Sequence, residues 1–197
     1  MKIYTRKGDD GTTGLLYGGR VPKDAAAPRA YGSVDEAQAA IGLARAHVLA
    51  HPGTSPGELG DILLGLERDL WVLMAELATD PAQRGRLSDG QTRVSAEMVT
   101  ALENLIDEVG AGFDPPTEFV VPGQTEAAAR LDVARTVVRR AEREVLHAAA
   151  EGSQCLPYLN RLSDLLWTLA RWQEGTFLET RSVAPGSPGS AGPGGAR

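Results

Sequence analysis

The chain has 197 residues, 42% hydrophobic and only 5% aromatic, with a net charge of −6. That length suits one buried core, and the acidic balance argues against nonspecific nucleic-acid or anionic-membrane binding, which needs a basic face. No apolar run approaches the ~20 residues of a membrane span, residues 1–30 hold no signal-peptide core, and the lone Cys155 allows no internal disulfide, so a cytoplasmic protein is expected.

Residues 1–32 carry turn signals and no helical periodicity; a short strand is expected at Met1–Thr5. Glycines 8, 11, 14, 18 and 19 leave backbone N–H groups free to turn toward an anion, with Thr5, Thr12 and Thr13 as hydroxyl donors. Lys2, Arg6, Lys7, Arg20, Lys23 and Arg29 stand against Asp9, Asp10 and Asp24, a local balance of +3 in a −6 chain. No G-x-x-x-x-G-K-[ST] can be drawn here, and the acidic spacing is wrong for calcium. Phosphate binding and an ordinary surface loop both remain open on this pattern.

Five helices follow. Ser33 and Glu36 form a capping box that opens the first, with Ala37, Ile41, Ala44 and Val48 on one face. Ser55-Pro56-Gly57-Glu58 is a second box with proline at the first helical position. It launches Leu59, Leu63, Leu66, Leu70, Leu73 and Leu77, and Asp80-Pro81 stops the run. A third helix spans about 94–110, with Val94, Met98, Leu102, Leu105 and Val109 inward. In the fourth, Ala127, Leu131, Ala134, Val138, Ala141, Val145 and Ala148 alternate spacings of 4 and 3, a seam for packing between helices. The fifth runs from about Pro157 to Arg171, with Leu159, Leu162, Leu166 and Leu169 inward. The fold expected is an all-α, up-down five-helix bundle with an irregular Gly/Thr-rich N-terminal loop. It forms a single domain over 1–182, and a Pro/Gly/Ser-rich tail at 183–197 is expected to be disordered.

Several polar residues admit two readings each. Asp132, Arg135, Arg139 and Glu142 line one face of the fourth helix, flanked by Arg130, Arg140 and Arg143. They are either a site or a solvated face stitched by helical ion pairs. Phe119 is a binding aromatic or a hydrophobic plug. Asp35, two residues past the Ser33 cap, and Asn160, at a helix start, could serve only those helix ends. Glu144 and His147 form one E-x-x-H; a di-iron bundle needs a second, so a solvated helix end is expected and no protein-held metal.

Four blocks, TRKGDDGTTGLLYGGRVPK, YGSVDEAQAAIG, FVVPGQTEAAARLDVARTVVRRAERE and YLNRLSDLLWTLAR, resemble in order and spacing the ATP:cob(I)alamin adenosyltransferases of the propanediol-utilisation type. The resemblance covers about residues 1–175. It implies a five-helix bundle assembled as a homotrimer, with sites between subunits that move the 5′-deoxyadenosyl group of ATP onto cobalt and release triphosphate. It implies that Thr5, Arg6, Lys7, Gly8, Thr13, Gly14 and Lys23 wrap the nucleotide. Arg139, Arg140, Glu142, Arg143 and Asn160 would complete that site, with Mg²⁺ on the phosphates. Asp35 and Arg135 match an ion pair at the subunit contact on the corrinoid (cobalamin) side, and Phe119 an aromatic beneath the corrin ring. A flavoprotein reductase and an adenosylcobalamin-dependent enzyme are the partners such an activity implies. Lys7, Gln38, Gln124 and Asp132 depart from the usual family residues, a small hydroxyl residue, asparagine, glycine and histidine respectively; three of the four lie near the corrinoid side. A non-catalytic corrinoid carrier and a nucleotide-binding regulatory bundle are the competing readings.

Overall fold

The computed structural model describes residues 3–53 and 57–183. After a two-stranded hairpin, β1 (Thr12–Gly14) and β2 (Arg20–Pro22), come α1 (Ala26–Ala50), α2 (Leu59–Leu77), α3 (Ala96–Gly110), α4 (Glu126–Val145) and α5 (Cys155–Glu174). Short 3-10 helices at Pro81–Arg86 and Thr180–Ser182 complete the order. α1 packs between α2 and α4, α4 between α1 and α5, and α3 covers α5. The all-helical bundle expected from the periodicity is therefore present.

Each seam faces the core. The six leucines of α2 are all buried, as are Ala127, Leu131, Ala134, Val138, Ala141 and Val145 of α4. Ala148 lies just beyond that helix and is half-buried. In α3, Leu102 and Val109 are buried while Met98 and Leu105 are partly so. Ser95 caps α3 by accepting from the Met98 N–H at 3.4 Å, and Thr125 caps α4 by accepting from Ala128 at 3.1 Å. Gly175, at φ +67, ends α5 in the left-handed conformation that glycine adopts without strain.

Two boundaries differ from the sequence expectation. α1 begins at Ala26, seven residues before Ser33, with Ala25 at its N-cap and no side-chain cap bond. Pro28 sits in that first turn, where its missing N–H has no helical partner to lose. Ser33 and Glu36 are therefore mid-helix, and Asp35 and Asn160 are interior helical residues rather than end residues. Residues 3–5 form no strand; the strands are β1 and β2, paired antiparallel with Thr13 opposite Val21. Ser55, Pro56 and the tail beyond Val183 lie outside the described residues, as does the disorder expected there.

Buried polar groups tie the connections down. Glu76, 7% exposed, accepts from the Val94 N–H at 2.8 Å and from Ser153 Oγ at 2.6 Å, joining α2 to the approaches of α3 and α5. Tyr158 Oη donates to Asp69 Oδ2 at 3.1 Å, crossing from α5 to α2. Leu166 of α5 is fully buried. Cutting it to Ala is expected to cost about 2–5 kcal/mol, read as a lower denaturant midpoint at unchanged slope.

Candidate functional site

α1 and α4 run antiparallel, and two side-chain contacts mark their ends. Arg29 near the start of α1 meets Glu144 near the end of α4 at 3.2 Å, while His47 near the end of α1 lies 3.6 Å from Glu126 at the start of α4. The Glu144 of the E-x-x-H pair is thus occupied by an ion pair, and His147 is exposed. The hairpin immediately precedes α1, so it shares one end of the bundle with the last turns of α4.

That hairpin is knotted by its own polar groups. Thr12 donates its N–H (2.9 Å) and its hydroxyl (2.8 Å) to Asp10 Oδ1, and these two bonds hold the Asp10 carboxyl below the ordinary range. Arg20 closes the knot, donating through Nε (3.0 Å) and Nη2 (2.6 Å) to Thr12 Oγ1 and through Nη2 to the Lys7 carbonyl at 2.5 Å. Gly8 lies under Lys23: a Cβ there would stand 3.3 Å from Lys23 Nζ and 3.1 Å from the Thr12 carbonyl. Lys23 returns its N–H to the Gly11 carbonyl at 2.9 Å. Thr5, Arg6, Lys7, Gly14 and Lys23 are exposed, while Gly8 and Thr13 are half-buried. Arg6 adopts φ +60, a left-handed conformation costly for a non-glycine residue. The loop is anchored to the bundle where Leu16 exchanges backbone bonds with the strand-like turn after α2, through Ala78 O at 2.7 Å and Asp80 N at 3.2 Å. The sequence reading included Arg20 in the charge balance but missed its clamping role, which only the closed turn reveals.

On α4, Arg139 and Arg143 are exposed, with Arg143 Nη1 donating to the Arg139 carbonyl at 2.9 Å. Arg140 pairs with Glu36 of α1. Glu142 is half-buried and accepts from Asn160 Nδ2 of α5 at 3.1 Å. The structure thus brings Glu142 and Asn160 together. Among the described residues, no hydrogen bond or ion pair joins residues 5–23 to this α4–α5 face.

Toward the other end of α4 a cleft of about 800 Å³ opens between the 116–122 segment and the paired faces of α4 and α5. Phe119, Asp132, Arg135, Trp167 and Arg171 line it. Phe119 is 89% exposed, so the plug reading fails within this chain. Its backbone is held by the segment after α5: its carbonyl accepts from Thr180 N at 2.8 Å and Thr180 Oγ1 at 2.9 Å, and Val121 N donates to Leu178 O at 2.8 Å. Arg181 pairs with Glu118 at 2.9 Å. Asp35 is exposed and forms no ion pair among the described residues. Arg135 meets Asp132 instead, Nε to Oδ1 at 3.0 Å.

Asp132 itself is not on a solvated face. It is 5% exposed, and its Oδ2 accepts from Arg171 Nη2 of α5 at 2.6 Å. Arg171, 1% exposed, also lies 2.9 Å from Glu174, whose carboxyl burial pushes above the ordinary range against the pull of Arg171 and the Gln124 and Gly123 backbone. Sequence reading missed Arg171 and Glu174. The signal available was Asp132, an acid flanking an apolar seam. Cys155 is fully buried and burial drives its thiol pKa far up, which removes it as a nucleophile.

One helix, α4, therefore carries a charged centre toward the basic hairpin and lines, toward its opposite end, a cleft that also holds Phe119, Trp167 and Arg171. The chain belongs to the cobalamin adenosyltransferase family, whose model matches residues 3–173. It is 41% identical over 178 residues to a corrinoid adenosyltransferase of Citrobacter freundii, spanning 89% of this chain and 96% of that one. To a corrinoid adenosyltransferase of Mycobacterium tuberculosis it is 44% identical over 175 residues, 86% and 87% of the two chains. A solved variant PduO-type ATP:corrinoid adenosyltransferase from Lactobacillus reuteri, complexed with cobalamin and ATP, matches with a TM-score of 0.79 at 28% identity. The match covers 91% of this chain and 99% of that one.

Arg20→Ala should release the Lys7 carbonyl and Thr12 together. Trypsin is then expected to cleave after Arg6 and Lys7 faster than in the native chain, while global stability changes by less than about 1 kcal/mol because these contacts are exposed.

Proposed function

We propose that the protein transfers the 5′-deoxyadenosyl group of ATP to the cobalt of a reduced corrinoid. Family membership and the cobalamin and ATP bound by the Lactobacillus reuteri relative support this reading. The observation that carries it in this chain is Phe119, an aromatic side chain left 89% in water on the rim of an arginine-lined cleft. An exposed ring of that size fits a flat apolar ligand.

In the reaction, the electron pair of cobalt(I) forms the Co–C5′ bond. The C5′–O bond breaks, and triphosphate leaves with the bonding pair, so cobalt is formally oxidised to cobalt(III). Because the substrate's own metal is the nucleophile, the chain needs no activated serine or cysteine, in keeping with the burial of Cys155. Its work is positioning and stabilising the charge on the leaving group. Thr5, Arg6, Lys7, Gly8, Thr13, Gly14 and Lys23 would cradle the phosphates, with Arg139, Arg140 and Arg143 as further cations. Arg140 would have to share its charge with Glu36. Asn160 and Glu142, already bonded to each other, would address the nucleoside. Mg²⁺ would screen the triphosphate charge; Glu142, with one oxygen free of Asn160, offers the hard carboxylate oxygen such an ion takes.

The hairpin and the α4 cations share one end of the bundle, yet among the described residues no hydrogen bond or ion pair joins them, which supports a site completed by a second copy, as in a homotrimer. Asp35, exposed on α1, is then free to reach Arg135 of a neighbouring copy, whose Nη groups are open. Phe119 below the corrin ring would exclude a lower axial ligand and ease reduction of cobalt(II) by a flavoprotein reductase. Adenosylcobalamin would pass to an enzyme that depends on it, all in the cytoplasm. No helix among the described residues is long and apolar enough to cross a membrane. A non-catalytic carrier would have little use for the basic hairpin, and a nucleotide regulator none for Phe119.

The test is anaerobic. Cobalamin chemically reduced to cobalt(I) is mixed with protein, Mg²⁺ and ATP, and loss of the cobalt(I) band with release of adenosylcobalamin and triphosphate is expected. ATP binding without adenosylcobalamin would overturn the reading in favour of a regulator or carrier. Arg139→Ala is expected to raise KM for ATP about 10–100-fold, the worth of one or two charge-assisted contacts. Phe119→Ala should slow turnover begun from cobalt(II) at least about ten-fold more than turnover begun from cobalt(I).

A further inference from the structure

The proposed activity leaves one built feature of the cleft unused: a carboxylate buried between two arginines. Asp132 is 5% exposed, yet both its oxygens are taken, Oδ1 by Arg135 Nε at 3.0 Å and Oδ2 by Arg171 Nη2 at 2.6 Å. Its two arginines are not equivalent. Arg171 is 1% exposed, held on its other edge by Glu174 at 2.9 Å, with Trp167 5.9 Å from its guanidinium. It belongs to the packing of α5. Arg135 keeps a quarter of its side chain exposed, and its Nη groups make no ion pair or hydrogen bond among the described residues.

We propose that Asp132 is a positioning residue for the corrinoid: by pinning the Nε edge of Arg135 it fixes that guanidinium at the cleft wall, with its Nη groups left to meet Asp35 of a neighbouring copy beside the corrinoid. This rests on the proposed function and names what holds its corrinoid side. The physical case is geometric. Arg135 is a long, part-buried side chain in the cleft wall and would otherwise lose rotamer freedom to adopt one pose. A carboxylate three residues earlier on the same helix, itself immobilised from α5 by Arg171, removes that freedom before any ligand arrives. A neutral histidine at position 132 would present one acceptor nitrogen, not two oxygens, and could not serve both arginines in this way. Asp132 acts through Arg135 and touches no reacting atom.

The experiment uses the full chain, with KM for cob(I)alamin, KM for ATP and melting temperature measured for each protein. A second titration of cob(II)alamin, followed by absorbance with ATP present, reads corrinoid binding without turnover. Asp132→Asn is expected to raise the corrinoid KM about ten-fold, the worth of one charge-assisted contact, with KM for ATP unchanged. The decisive comparison is the cycle with Arg135→Ala: in that background Asp132→Asn should add nothing further to the corrinoid KM. Arg135→Lys keeps the charge, lacks the Nε edge and leaves the Asp132–Arg171 pair intact, so it should reproduce the Asp132→Asn defect without a loss of melting temperature. An unchanged corrinoid KM in Asp132→Asn, additive effects in the cycle, or a neutral Arg135→Lys would each overturn the assignment. A native protein that makes no adenosylcobalamin from cobalt(I) would instead overturn the functional reading, and this one with it.

Discussion

Everything in this bundle depends on how closely α4 can lie between α1 and α5. Small residues recur every seven positions on the facing helices: Ala30, Ala37 and Ala44 on α1, and Ala127, Ala134 and Ala141 on α4, all buried. Val34, Ile41 and Val48, and Leu131, Val138 and Val145, fill the alternate positions. Separation between packed helices is set by the side chains at the contact, and alanines lower it. With so narrow an inner face committed to packing, the polar residues of α4 have no rotational freedom. Arg139, Glu142 and Arg143 must come out together, and Asp132 must fall on the edge that meets α5.

That geometry separates two tasks along one rigid rod. At its C-terminal end α4 presents cations beside the hairpin; near its N-terminal end it forms a wall of the cleft. A rod transmits position well and needs no loop to set the distance between the two regions. The loops that do contribute are restrained locally: the hairpin by the Asp10–Thr12–Arg20 knot and by Leu16, the Phe119 segment by Thr180 and Leu178. Each loop carries exposed functional candidates on a backbone tied down at a few points, which lets its side chains face solvent without loosening the chain.

How much of this was legible follows from which interactions are periodic. The seams of α2 and α4 could be read residue by residue because burial repeats with the helix turn. The start of α1 could not, because the Ser33–Glu36 spacing imitates a cap while the true signal, Pro28 in the first turn, is compatible with many contexts. The hairpin strands went unread because their register is set by Arg20 reaching back to Thr12, a contact eight residues apart that no alternation announces. Candidate residues on the nucleotide side were legible only through the four conspicuous blocks and their likeness to a family. The burial of Asp132 was hidden for a different reason. It needs the register of α4 against α5, and neither helix's own pattern states where Arg171 will stop.

Asp132 and Phe119 illustrate opposite ways a chain can hold a ligand-ready cleft. Phe119 is stored exposed, at the hydrophobic cost of leaving a ring in water. Asp132 is stored buried, where a carboxylate is tolerable only because Arg135 and Arg171 both answer it. Replacing the acid alone would strip Arg171 of a buried partner and cost about 3–5 kcal/mol, whereas replacing the whole charged cluster with apolar packing would leave the fold about as stable, since buried pairs often contribute little net stability against hydrophobic isosteres. Retaining it therefore makes most sense as orientation rather than stability. A cation whose pose is set in advance favours any ligand it meets, because the entropy of fixing that side chain is then spent in folding and not at the moment of binding.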